Sequence, residues 1–319
     1  MAARMSLRVR ARAVLAVAAV FVAGACVRPS SYKAPVAKFR DASAVVIEST
    51  QAYLTALNKT ERDHYIDDQV ASQSPIQLTK IEEVQILGAE AIAARLNALD
   101  QLAEYTELLY LIATSGAPET IRGRAKDLGS ALSKLSGEVA ALTGADDQGF
   151  KKTAATVFPV IGDLLKGLVE LKLEDALKNA ITTGTGPVNT LIDAIKLDAD
   201  VAYERKRNAL SKRRADAALA YNAEFAKGAK VSPATLRRLA NVVSNTEDQW
   251  EAFQIARPTA GLEAMQDANL ALDRFARSGR PSAAEVAAFA EAIEVFASAA
   301  ARLGQGVRQL TTLEERDVR

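Results

Sequence analysis

Apolar and polar positions alternate along the chain in steps of three and four, the period that places apolar residues on one face of a helix. Val36, Phe39, Val46, Tyr53, Leu54 and Leu57 predict a helix over about 36–70, ended by Ser72, Ser74 and Pro75. Ile81, Val84, Ile92, Leu96, Leu99 and Leu102 predict a second over about 78–114, ended by Ser115-Gly116. A third, opening near Pro118, carries Ile121, Ala125, Leu128, Leu132, Leu135, Val139 and Leu142. That narrow seam suits a partner helix lying nearly antiparallel or parallel to it. Phe150, Ala154, Val157, Ile161, Leu164, Leu168 and Leu171 define a fourth helix, which Pro159 is expected to kink or split.

Thr182-Thr183-Gly184-Thr185-Gly186-Pro187 then interrupts the pattern and marks the expected domain boundary. Pro187 suits the first position of a long fifth helix reaching about Phe225. Ser232-Pro233 opens a sixth, with Leu236, Leu239, Val243, Trp250 and Phe253 inward, and Arg257-Pro258 stops it. Leu262, Met265, Asn269, Leu272 and Ala276 trace a seventh, followed by Gly279-Arg280-Pro281. Ser282 caps an eighth that carries Val286, Phe289, Ile293, Phe296, Ala300, Leu303, Val307 and Leu310. No segment shows sustained period-two alternation with β-branched enrichment. The expected fold is therefore all-α, an elongated antiparallel helical bundle or pair of bundles with about eight helices and coiled-coil-like seams. An N-terminal bundle over 36–183 and a C-terminal bundle over 184–319 are expected, with continuity between them left open.

The first residues follow another pattern. Arg4, Arg8, Arg10 and Arg12 precede an apolar run, Ala13 to Val22, and then Ala23-Gly24-Ala25 and Cys26, the only cysteine of 319 residues. A basic end, a short apolar run and small residues are the order of a secretory signal peptide over 1–25. The apolar run is shorter than the ~20 residues a membrane-crossing helix needs. Ala23-Gly24-Ala25-Cys26 resembles the box of a bacterial lipoprotein signal, with Ala23 standing where that family prefers leucine. The resemblance implies a diacylglycerol on the Cys26 sulfur, cleavage before it, and acylation of the freed amine. It also implies that Val27, being other than aspartate, directs the protein to the outer membrane, facing the periplasm, with 26–35 as a flexible tether. Ala23-x-Ala25 also matches an ordinary cleavage site, which would release a soluble chain. In either case the thiol has no base or cation held beside it, so it reads as an attachment point and not a nucleophile.

Charge narrows the function classes. The chain carries 40 basic and 39 acidic residues; loss of 1–25 removes four arginines and leaves a mature net charge near −3. A near-neutral protein has no electrostatic footprint for nucleic acid. Glu61-x-x-His64 has the spacing that puts a carboxylate and an imidazole on one helix face, but di-iron bundles need that pair twice and His64 is the only histidine. No metal site, cofactor or catalytic constellation is expected, and the protein is not read as an enzyme.

Two basic blocks remain, Arg205, Lys206, Arg207 and, seven residues on, Lys212, Arg213, Arg214. They interrupt the apolar stripe of the fifth predicted helix, which only Ala209 and Leu210 continue, so this stretch is expected to be polar all round and to project into solvent or bridge two bundles. It is a candidate surface for an anionic partner such as phospholipid headgroups, peptidoglycan carboxylates or an acidic envelope protein. The expected role is a lipid-anchored structural or interaction module of the cell envelope; the other reading is a module holding an apolar, lipid-like ligand between helices.

Overall fold

The computed structural model describes residues 30–114, 117–144, 147–168, 173–228, 231–278 and 282–317. Residues 1–29, which include the predicted signal peptide and Cys26, lie outside the described residues, as do the expected breaks Ser115-Gly116 and Gly279-Arg280-Pro281. The described chain forms α1 (Ser30–Ala71), α2 (Leu78–Glu83), α3 (Ala89–Thr114), α4 (Pro118–Ala141), α5 (Gln148–Leu168), α6 (Leu173–Phe225), α7 (Pro233–Ile255), α8 (Pro258–Arg277) and α9 (Ala283–Asp317). It contains no strand among the described residues, and the fold is an all-α bundle.

Long-range contacts set the directions. Arg40 of α1 stacks on Tyr110 of α3 while Asn58 reaches the Leu87 carbonyl just before α3, so α1 and α3 are antiparallel. Tyr32 meets Phe275 of α8 edge-on at 5.1 Å, and Phe39 meets Phe296 of α9 at 5.6 Å. Further along, Val46 lies against Gly261 of α8 and Val45 against Gly304 of α9, so α8 runs against α1 and α9 runs with it. α7 and α8 descend one flank of α6 in succession: Glu247 lies opposite Arg214, Glu263 opposite Lys196, and Arg277 opposite Thr182. At 1.5 Å per residue, the 53 residues of α6 run about 80 Å and the 42 of α1 about 60 Å, so the molecule is long.

The seam read in α4 is buried as expected: Ile121, Ala125, Leu128, Leu132, Leu135 and Val139 all face α3 and α5. Each fully buried leucine contributes about 1.5–3 kcal/mol over an exposed one, which is what holds a helix of modest propensity with three glycines and three serines. Both expected caps are present. Ser232 accepts from the Thr235 amide, and Ser282 and Glu285 exchange hydrogen bonds in a capping box whose Ser282 N–H holds the Glu285 carboxyl below the usual carboxylate range.

Four expectations need correction. First, α1 begins at Ser30 and not near 36: Tyr32 and Val36 are buried, and that packing outweighs the N–H lost at Pro35, so the expected tether is helical from 30. Second, the helix expected over 78–114 is two. The Tyr65 hydroxyl accepts from Gln77 N–H and Asn58 donates to the Leu87 carbonyl, so side chains of α1 hold the 77–88 segment in place of a continuous helical ladder.

Third, the helix break expected at Thr182–Pro187 is absent. α6 passes unbroken through Thr182–Pro187, because the Thr182, Thr185 and Thr190 hydroxyls donate to carbonyls one turn back and satisfy themselves within the helix. Residues of both predicted bundles, for example Leu102 and Leu128 with Ile195, Leu272 and Phe296, belong to one buried apolar cluster. Fourth, the basic stretch of α6 is not polar all round: Tyr203, Leu210 and Ala217, spaced by seven, continue a buried stripe through it.

Candidate functional site

Two sites stand out where charge and packing meet. The first is Arg95 of α3, which has no exposed side-chain surface. Its Nε donates to Asp198 of α6 at 2.6 Å, and its Nη1 donates to Asp147, just before α5, at 2.8 Å and to the Ala91 carbonyl at 3.0 Å. Its guanidinium lies 4.8 Å over the Phe150 ring. The cluster ties α3, α5 and α6 together and sits in no described cavity, so its chemistry is that of a structural clamp. The sequence pattern passes over it. The available signal is a charged residue on a stripe of alanines and leucines, Ala91, Arg95, Ala98, Leu102, at core spacing.

The second lies at the end of the molecule remote from the start of α1. There α1 touches α6 and α9, and α7 touches the same two helices, so the four make a square in which α6 and α9 are diagonal. An aromatic layer closes the inner end of this square: Tyr203 stacks on Phe253 at 4.4 Å, beside Tyr53, Leu210 and Leu310. Tyr53 donates to the Ala256 carbonyl at the α7–α8 junction at 2.5 Å, and burial drives its phenol pKa well above the ordinary value. Trp250, beside Phe253 and under Arg214, belongs to the same packing layer.

Beyond that layer Glu314 of α9 pairs with Lys206 at 2.7 Å, and α9 is described to Asp317. Beside this pair lies an open slot of about 620 Å³. Its floor is α6, with Ala209, Leu210, Arg213, Ala217 and Ala220. One wall is α1, with Lys59, Asp63, His64 and Asp67; the other is α7, with Val242, Thr246 and Gln249.

All six basic residues singled out in the sequence lie along this end, and each faces a carboxylate of the chain itself. Arg205 lies 3.9 Å from Glu61, Lys206 pairs with Glu314, and Arg207 with Glu204. Lys212 lies 3.2 Å from Asp68 and 3.3 Å from Asp216, and these two raise its pKa; Arg213 lies 3.8 Å from Asp67. Arg214 grips Glu247 with two bonds, at 2.9 and 2.7 Å. The expected cationic face is thus a set of seams joining α6 to α1, α7 and α9, without a surplus of positive charge to attract an anionic surface. What sequence could not supply is the acids, since Glu61, Asp67 and Asp68 lie on a helix about 140 residues earlier.

Glu61 and His64 do not converge on one ligand. Glu61 turns to Arg205, and His64 Nε2 lies 3.7 Å from Asp68 on a half-exposed side chain. Among the described residues no group of three or more His, Cys, Asp or Glu side chains is placed to hold a metal ion. No described helix is long and apolar enough to cross a membrane. A second groove of about 1000 Å³ runs along α4 and α5, where Gly129, Ser133 and Gly162 leave the surface shallow between Arg122, Lys126 and Asp163. Comparison with protein-family models, curated proteins and solved structures finds no match for this chain.

Proposed function

We propose that the protein is a lipid-anchored helical module of the bacterial cell envelope that contacts a protein partner through the slot at its far end. The observation that carries this reading is the arrangement along α1. The anchor residue of the lipoprotein-like signal, Cys26, comes four residues before the first residue of α1, while the slot is walled by Lys59 to Ala71 at the other end of the same helix. A helix of this length sets the slot about 45–60 Å from the anchored end, within reach of partners away from the bilayer surface. Two or three acyl chains suffice for stable attachment. The reading of an apolar ligand held between helices has less support, since both described grooves are open and edged by charged side chains.

The test combines anchoring and contact. Wild-type protein is expected in the membrane fraction with a thioether-linked diacylglycerol on Cys26, and Cys26→Ser in the soluble fraction. A photo-crosslinking residue at Ala220, in the slot, is expected to yield protein adducts that the same residue at Leu197, exposed on α6 outside it, does not. A mature N-terminus with free amine and thiol, or equal adducts from both positions, would overturn the proposal.

A further inference from the structure

We infer that the tip of the α6–α7 hairpin is a second contact surface, for the carboxylate groups of the wall polymer, peptidoglycan. This rests on the envelope reading above and adds a surface distinct from the slot. α1 and α6 run side by side in one direction, with Glu61 opposite Arg205 and Asp68 opposite Lys212. In that register Ala71, the last residue of α1, stands level with Ala215, while α6 continues to Phe225 before α7 returns. The chain after α1 folds back along it, since Gln77 is held by Tyr65 and Leu87 by Asn58. The hairpin therefore projects about 15 Å past the end of α1, at 1.5 Å per residue. The start of α6 lies about 80 Å away at the other end of the molecule, where Arg277 reaches Thr182 and Phe275 packs on Tyr32.

Charge marks this tip. Between residues 218 and 245 the sequence carries four cations, Lys227, Lys230, Arg237 and Arg238, against one acid, Glu224. That is a local net charge of +3 on a chain whose mature charge is near −3. Glu224 pairs with Lys227, and the acids that flank the hairpin, Asp216 and Glu247, pair with Lys212 and Arg214. Arg237 and Arg238 make no ion pair among the described residues. Leu236, Leu239 and Val243 are half-buried at helical spacing, whereas Arg237 and Arg238 stand exposed between them. A guanidinium held in water without a counter-charge is a ready bidentate site for a carboxylate. At the same level Phe225, 63 % exposed and stacked on Tyr221, gives a flat apolar face on which a sugar ring can lie.

Size and position select among anionic partners. One face of two helices, each about 10 Å wide, over about 15 Å offers about 300 Å², against about 800 Å² per partner in a stable protein complex. A contact that small holds only where the ligand presents the same group many times, so that rebinding multiplies a weak affinity. Peptidoglycan has that chemistry, with rows of sugars of which every second one bears a peptide carrying free carboxylates. The exposed surround of the cations, Asn222, Asn241, Ser244 and Asn245, offers hydrogen bonds to its amide and hydroxyl groups. A second copy of the chain is repelled, because both tips carry the same charge. In the envelope reading the bilayer lies at the start of α1, at the opposite end of the molecule.

The experiment uses the full-length protein in detergent, purified peptidoglycan sacculi, and the same sacculi with their carboxylates converted to neutral amides by carbodiimide and ethanolamine. By co-sedimentation at low salt, native sacculi are expected to bind about tenfold more tightly than amidated ones, and about 0.5 M salt to release the protein. Arg237→Gln/Arg238→Gln, at two exposed positions and with helix propensity kept, is expected to weaken binding about tenfold. Lys33→Gln/Lys178→Gln, which removes two exposed cations at the other end of the molecule, is expected to leave it unchanged. The inference fails if native and amidated sacculi bind alike, if neither binds, or if the lysine variant loses as much as the arginine variant. It fails equally if phosphatidylglycerol vesicles compete for the two arginines, or if a photo-crosslinking residue at Asn241 yields protein adducts and no glycan adducts. Any of these results beside acylated Cys26 and adducts specific to Ala220 would leave the interaction module standing and remove only the wall contact.

Discussion

A guanidinium with no exposed surface, like that of Arg95, is kept in a core only by the groups that face it. Here they are the carboxylates of Asp198 on α6 and Asp147 just before α5, and the Ala91 carbonyl one turn back on α3. The desolvation cost of such a cluster offsets most of its attraction, so its worth lies in what happens when one member is removed. Arg95→Met is expected to lower stability by about 3–5 kcal/mol, by leaving Asp147 buried without a counter-charge. Arg95→Met/Asp147→Leu is expected to recover most of that loss. Urea titrations followed by circular dichroism of the two variants check the ordering; equal losses would show that packing around Phe150, and not charge, is what the arginine supplies.

At the scale of the element, α6 shows how one contact decides a helix. A Cβ on Gly184 would lie 2.5 Å from the Tyr105 hydroxyl and 3.1 Å from its ring, and that hydroxyl donates to the Ala180 carbonyl on the preceding turn. The glycine is a seat for a buried tyrosine, not a hinge. Gly186, two residues on, is exposed and has no atom within 4 Å of where its Cβ would stand. Gly184→Ala is therefore expected to cost about 1–3 kcal/mol by overpacking, and Gly186→Ala to add about 0.5–1 kcal/mol by restricting the unfolded chain. Thermal melts of both variants measure the opposite signs, and a gain for both would mean that the Tyr105 contact is loose.

The same helix explains what was legible beforehand. Helices whose apolar stripe is uninterrupted, α4 above all, could be read residue by residue. Where glycine, threonine and proline cluster, local preference signals a turn, and the tyrosine packed against the run in the helix comes from about 80 residues away. The basic blocks at 205–207 and 212–214 were visible as charge, but the slot they border was not, because its walls come from α1, α6 and α7.

Over the whole molecule, packing thins toward the slot. One apolar cluster spans α1, α3, α4, α5, α6, α8 and α9, whereas 218–228 and 231–245 contain no buried residue. Local opening follows burial, so amides of this hairpin are expected to exchange with deuterium faster than those of Val188–Ala199 in the same helix α6. Mass-spectrometric exchange on the full chain measures it, and equal protection along α6 would contradict it. The ion pairs between α1 and α6 are largely exposed, so each contributes about 0–1 kcal/mol, and raising the salt should loosen this end without unfolding the core.

The sequence by itself determined the helical class, both serine caps and the inward faces of the uninterrupted helices, because period and capping are properties of neighbouring residues. Only the tertiary structure decided that α6 is one helix, that Arg95 belongs in the core, and that six cations meet carboxylates within the chain. Each of those depends on a partner brought from a distant part of the chain, and a charge or a glycine carries no local mark of what the fold will place against it.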